Sequence, residues 1–191
     1  MKKEYLLVII GFLFFSCNDH TPKPKGYARI DRNETKRKEF KHPAFSFFYT
    51  DDAEIKEVKK EERDEFWFNI SYPSYNVAIY CTYIFMHKNQ LPGLLEDSYQ
   101  LAYSHAMKAD GIGQVAFSDS IGHKTGILYD IKGAVAVPIQ FYVTDNETHF
   151  LRGSLYFNDV VQPDSVAPIV SFLRKDIENI IESLKWNSIK Q

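Results

Sequence analysis

The chain is poor in the features that most often announce a chemistry. It has 2 cysteines in 191 residues, too few for a disulfide scaffold. No G-x-S-x-G, H-E-x-x-H, phosphate loop or dinucleotide fingerprint occurs. Charge of one sign is also missing: 23 Lys and Arg face 25 Asp and Glu, for a net -2, and a nucleic-acid binder needs a clear basic excess. No apolar run approaches the roughly 20 residues of a membrane-spanning helix. His20, His42, His87, His105, His123 and His149 never stand at i, i+4, so no helical metal pair is written in the chain. What is abundant is aromatic. With 15 Phe and 12 Tyr in a 45% apolar, 25% charged mixture, the composition is that of one globular domain with a ring-rich core.

The first sixteen residues are set apart. Lys2 and Lys3 precede an apolar stretch from Tyr5 to Phe15, interrupted only by Gly11, which is signal-peptide length. It ends in Leu13-Phe14-Phe15-Ser16-Cys17, and a small residue before Cys at this place resembles the lipobox of bacterial lipoproteins. The expectation is removal of 1–16, lipidation of the Cys17 thiol with acyl chains such as palmitate, a tether over 17–25, and one domain over 26–191. Two or three chains at about 0.8 kcal/mol per buried CH₂ hold a protein on a bilayer. Loss of Lys2, Lys3 and Glu4 leaves 175 residues with 21 basic and 24 acidic side chains, net -3. Cys81 is then the remaining thiol, and its place in the apolar run Val77 to Phe85 argues for burial.

Charge is uneven along the mature chain. Residues 22–41 carry net +5 and residues 51–65 net -4, as solvated loops or edge strands, or as a basic segment lying against anionic head groups. Between and after them the pattern is β. Phe45, Phe47 and Tyr49 alternate, Ala53 to Val58 suits a short exposed strand, and Phe66 to Tyr72 turns at Pro73-Ser74 into a central strand, Asn76 to Phe85. Later strands are expected over Gly113–Ser118, Lys124–Ile131, Val135–Thr144 and His149–Phe157.

Two segments change period. Leu95, Tyr99, Ala102, Ala106 and Ala109 predict one buried stripe on a helix over Leu91–Ala109. Ile169, Leu173, Ile177, Ile180 and Leu184 predict a second helix capped by Asp164 or Ser165, with Pro168 in its first turn and Trp186 plugging its end. The fold class is therefore α+β: a largely antiparallel sheet covered by two amphipathic helices, in a single domain. This order of elements is similar to that of the photosystem accessory proteins of PsbP type.

The polar residues to watch cluster in one block: Asp145, His149, Arg152, Tyr156 and Asn158. Asp145 suits an Asx-turn at a hairpin. His149 and Arg152 fall on opposite faces of a strand, because the side-chain period is two, which argues against a joint catalytic role. His105 with Ser104 and an Asp is the remaining hydrolase arrangement.

Several stretches taken together resemble the gliding-motility lipoprotein family GldD of Bacteroidetes. They are Lys23–Asp31, His42–Tyr49, Trp67–Ile70, Glu96–Ser98 with Tyr103–Ile112, Gly126–Ile131, Gln140–Asn158, and Pro163 through Trp186. His149-Phe150-Leu151-Arg152-Gly153-Ser154-Leu155-Tyr156-Phe157-Asn158 is the most distinctive block. The resemblance implies a non-catalytic accessory of the gliding machinery and its associated type IX secretion system. It implies no cofactor, metal or small-molecule substrate, no nucleic acid, other gliding or secretion envelope proteins (lipoproteins among them) as partners, and a membrane anchor at Cys17. Asn18-Asp19-His20 lacks the acidic run that resembles a surface-export signal in this phylum, so a periplasm-facing position is expected. A second reading is a periplasmic ligand-binding or carrier lipoprotein with a pocket between sheet and helices. An envelope hydrolase ranks third.

Overall fold

Strands form where apolar side chains alternate, and their pairing follows the hairpins that short turns allow. The computed structural model describes residues 36–58, 64–104, 107–158 and 163–187. Cys17, the tether, His105 and Ala106 lie outside them. Ten strands pair antiparallel throughout. They are β1 (Arg37–His42), β2 (Phe45–Thr50), β3 (Glu54–Val58), β4 (Glu65–Tyr72), β5 (Val77–Phe85), β6 (Ala109–Asp119), β7 (Lys124–Gly133), β8 (Ile139–Thr144), β9 (His149–Phe157) and β10 (Lys185–Trp186). Seven make one sheet in the order β3-β4-β5-β9-β8-β7-β6, while β1-β2-β10 make a second. Helix α1 (Leu91–Tyr103) and helix α2 (Pro163–Ser183) complete the domain.

The inner face of the large sheet carries the main core. Phe68, Ile79, Phe141, Val143, Leu151 and Leu155 meet Leu173, Ile177 and Ile180 of α2 and Phe45 and Phe47 of β2. The cover on this face is thus shared between a helix and the small sheet. On the outer face, Ile84, Tyr129, Tyr142 and Phe150 pack against Ala102, Leu94 and Leu95 of α1. On the inner face, Gly153 in β9 makes room for the Phe141 ring of β8, since a Cβ at that position would stand 2.5 Å from it.

The structure departs from the sequence reading at several points, and the strand expected over Val135–Thr144 begins only at Ile139, just after Pro138, which has no N–H to give the ladder. Helix α1 stops at Tyr103, and Ala109 opens β6 through a bulge between Ala109 and Gly111, so the ladder with β7 wins over helical continuation. The stripe of α1 is rotated: Ser98 and Ala102 are buried, whereas Tyr99 is 40% exposed and stacks on Tyr103 at 4.3 Å. Ser98 tolerates burial because its hydroxyl donates to the Leu94 carbonyl at 2.8 Å. Helix α2 starts at Pro163, which moves Pro168 beyond the first turn. Trp186, expected at the helix end, belongs to β10 and stacks on His149. The side chains of the expected caps, Asp164 and Ser165, are outside the described set.

Candidate functional site

The outer face of the sheet is built in rows by strand register. One row runs Asn69, Tyr80, Ser154, Gln140, Tyr129, and the next runs Trp67, Thr82, Arg152, Tyr142, Ile127. Helix α1 covers the β7–β8 end of these rows. Toward β5 the rows carry Tyr80 and Arg152, with Tyr156 beside Ala78 in the adjoining row, and none of the three belongs to the cluster packed under α1. Tyr80 is 45% and Tyr156 40% exposed, and their rings meet edge to face at 5.8 Å. The Trp67 indole donates to Glu65 at 2.7 Å, which holds the ring on the surface. Arg152 has no carboxylate partner among the described residues. A groove of about 190 Å³ between Leu101 of α1 and Tyr80, Gln140, Arg152 and Ser154 extends the surface, and Gln140 Nε2 donates to the Leu101 carbonyl across it at 3.3 Å. Trp, Tyr and Arg are the side chains that most often dominate binding energy at protein interfaces.

The polar block splits along these faces. Arg152 and Tyr156 join the open surface, while His149 points inward. The His149 ring stacks on Trp186 at 5.0 Å, and its Nδ1 shares a 2.8 Å hydrogen bond with the Tyr83 hydroxyl. Burial pushes the His149 pKa down, against the pull of nearby Asp145, and burial pushes the Tyr83 hydroxyl up. His42 sits close by, stacked on Phe66 at 4.2 Å, and burial lowers its pKa too, opposed by Glu57. Among the described residues the His149 ring lies between Tyr83 and Trp186, and its side-chain hydrogen-bond partner is the Tyr83 hydroxyl rather than a serine. Ser104 caps the end of α1, its hydroxyl donating to Leu101 O at 2.6 Å.

Asp145 makes the Asx-turn. Its Oδ1 accepts from the backbone N–H of Glu147, Thr148 and His149 at 2.9, 2.9 and 2.8 Å, and its Oδ2 from the Thr148 hydroxyl at 3.1 Å. Asn146 then takes the left-handed conformation at φ 65°. Asn158 closes the other end of β9, its Nδ2 donating to Asn76 Oδ1 at 3.0 Å. Cys81 is buried, and burial drives its thiol pKa well up, as suits an inert core residue.

A second concavity opens on the inner face, where α2 stops short of β6. This cleft of about 320 Å³ is floored by Val115, Phe117, Leu128 and Ile181. Its cations are already engaged. Lys124 is 5% exposed, donates to the carbonyls of Ile181 at 3.1 Å and Glu182 at 2.7 Å, and pairs with Asp119 at 3.4 Å. Arg174 is bound by Asp130 at 3.1 Å and by Glu178, and the Asp130 hydrogen bond is the main force raising its pKa. Among the described residues no group of His, Cys, Asp and Glu stands ready to hold a metal ion, and no helix is long and apolar enough to cross a membrane.

The layers and strand order define a class of fold. A solved structure with a similar fold is cyanobacterial PsbP (CyanoP) from Synechocystis sp. PCC 6803, at TM-score 0.50 and 9% identity over 85% of this chain and 98% of that one. At that identity the likeness is one of fold alone. Among curated proteins none matches the sequence. Its family is nonetheless clear: over residues 17–186 the chain matches the gliding motility lipoprotein GldD, and it belongs to that family. A lipoprotein family places the chain at the cell envelope as a membrane-anchored motility component, outside any known enzyme family.

Proposed function

We propose that this protein is a lipid-anchored, non-catalytic docking component of the gliding machinery and its associated type IX secretion system, acting by protein–protein contact. The observation that carries the reading is the part of the outer face beyond α1, where Tyr80, Arg152 and Tyr156 converge from two strands, with both rings exposed. Their ring area and unpartnered guanidinium suit a protein partner, and their partial exposure leaves the fold intact without one. The anchor is Cys17, the domain faces the periplasm, and the partners are other envelope proteins of the apparatus. The family's lipoprotein character and the lipobox-like Ser16-Cys17 support that placement.

Replacing Tyr80 and Tyr156 together by Ala tests the docking face. The expected result is impaired colony spreading by a protein that still folds and accumulates. Normal spreading with the double variant overturns the assignment of this face. Metabolic labelling with a palmitate analogue tests the anchor: label is lost in Cys17→Ala, and retained label refutes lipidation there. A carrier role has the inner cleft behind it, but that cleft is open and its cations, Lys124 and Arg174, are already paired within the chain.

A further inference from the structure

The two edges of the large sheet are treated differently. Edge β3 is five residues long and carries Glu54, Lys56 and Glu57, the usual protection against another strand. Edge β6 is eleven residues long, and from Gly111 to Ser118 it has neither a charge nor a proline. The direction of its backbone groups follows from the neighbouring ladder. Ile131 N–H bonds to Pro138 O at 2.8 Å on the β8 side, so in β7 the odd-numbered residues bond toward β8 and the even-numbered ones toward β6. The register Val115↔Leu128 then turns Gly113, Val115 and Phe117 toward β7, and leaves the N–H and C=O of Ile112, Gln114, Ala116 and Ser118 on the open edge. Among the described residues nothing pairs with them.

The inner cleft lies beside this edge, and the side chains of Val115 (47% exposed) and Phe117 form the part of its floor nearest the edge. We propose that the β6 edge and this cleft are one strand-docking site, which takes an extended segment of another envelope protein as an eighth strand. Main-chain hydrogen bonds hold such a segment of about six residues, and its alternate apolar side chains enter the cleft. Charge selects the occupant. Asp110 stands exposed at one end of the neutral stretch, Asp119 at the other is already paired with Lys124, and Glu182, at the cleft mouth, has no bonded partner for its carboxylate among the described residues, so the charge left for an occupant is that of Asp110 and Glu182. Antiparallel pairing of β6 with a second copy sets Asp110 of one copy beside Asp119 of the other at both ends, which like charges oppose. A segment with alternating apolar residues and basic flanks matches instead. This goes beyond the docking role assigned to the outer face and uses a different surface.

The test is residue-resolved amide exchange on the full mature chain with a synthetic seven-residue probe of alternating valine and threonine, lysine at each end. The amides of Gln114, Ala116 and Ser118 are expected to slow by about tenfold or more on binding, while those of Gly113, Val115 and Phe117, already bonded to β7, do not change. Ala116→Pro removes an outward N–H where proline is tolerated and abolishes that slowing. Val115→Lys leaves the backbone untouched and weakens binding through the cleft alone. In cells, a photo-crosslinker at Val115 is expected to capture a short alternating apolar segment of another envelope protein, and one at Lys56 on β3 is not. No slowing of the outward amides, uniform slowing of all six, or unchanged binding by Ala116→Pro overturns the proposal. So does a Val115 crosslink to a second copy, to residues 1–35 of the same chain or to lipid. Failure of the Tyr80 and Tyr156 variant to impair spreading leaves this result unaffected, since the amide pattern reads β6 alone.

Discussion

Lys124→Met isolates one tie between sheet and helix. Methionine keeps an unbranched apolar stem of similar length, so packing against Leu128 and Ile181 survives while the ammonium is lost. The native ammonium donates to the carbonyls of Ile181 and Glu182 at 3.1 and 2.7 Å, in the last turn of α2, where carbonyls lack helical partners and the dipole is negative. Two charge-assisted bonds at about 1.5–3 kcal/mol each, less the relief of no longer burying a cation, put the net loss at about 2–4 kcal/mol. At roughly 2–4 °C per kcal/mol for a chain of this size, the melting temperature falls by about 5–15 °C. Asp119 is half-exposed, and its carboxylate is stabilised first by the Gly122 N–H and then by Lys124. Asp119→Asn should therefore cost clearly less than Lys124→Met. Denaturant unfolding of both single variants and the double variant gives the comparison. A Lys124→Met protein within about 0.5 kcal/mol of wild type, or one no worse than Asp119→Asn, refutes the reasoning.

Three further outcomes are expected. Stability should fall as pH drops below about 6.5, because the unfolded chain binds protons that buried His149 and His42 refuse; each contributes at most about 1.4 kcal/mol per pH unit, and none above that pH. Denaturation at pH 7.5 and pH 5 reads the slope, and an unchanged slope in His149→Gln assigns it elsewhere. Asp145→Ala strips the acceptor from three backbone N–H groups and should destabilise by about 1–3 kcal/mol, seen as a lower denaturant midpoint; an unaltered midpoint removes the Asx-turn from the account. Cys81 should ignore a thiol reagent in the native protein and react on unfolding, whereas fast native labelling contradicts its burial.

Much of the layering is legible along the chain because period and burial agree there. Leu173, Ile177, Ile180 and Leu184 recur at helical spacing and all face the core. Where two structures suit the same residues, local pattern fails. Ala109 continues a helical stripe, yet Ile112↔Ile131 pairing draws it into β6. The basic stretch 22–41 reads equally as solvated loops or edge strands, and it is the inward ring of Phe40, paired with Phe47 and stacked on Phe68 at 5.3 Å, that makes Arg37–His42 an edge strand. The open face is harder still. Tyr80 and Tyr156 are each an ordinary aromatic in a strand, and only the Ala78↔Tyr156 and Tyr80↔Ser154 register brings them together. Arg152 and Tyr156 stand in the polar block legible in the sequence, whereas nothing along the chain singles out Tyr80.

The last strand has a consequence for how the chain is made and handled. Asn187 bonds through its N–H to Ala44 O at 2.8 Å and through its side chain to His42 O at 3.0 Å, the latter across a sequence separation of 145 residues. The β1–β2 hairpin, first to emerge, therefore waits for the chain's final turn before its edge is closed. The same geometry makes residues 185–187 part of the architecture, so removing them unpairs β2 and opens the core at Phe45.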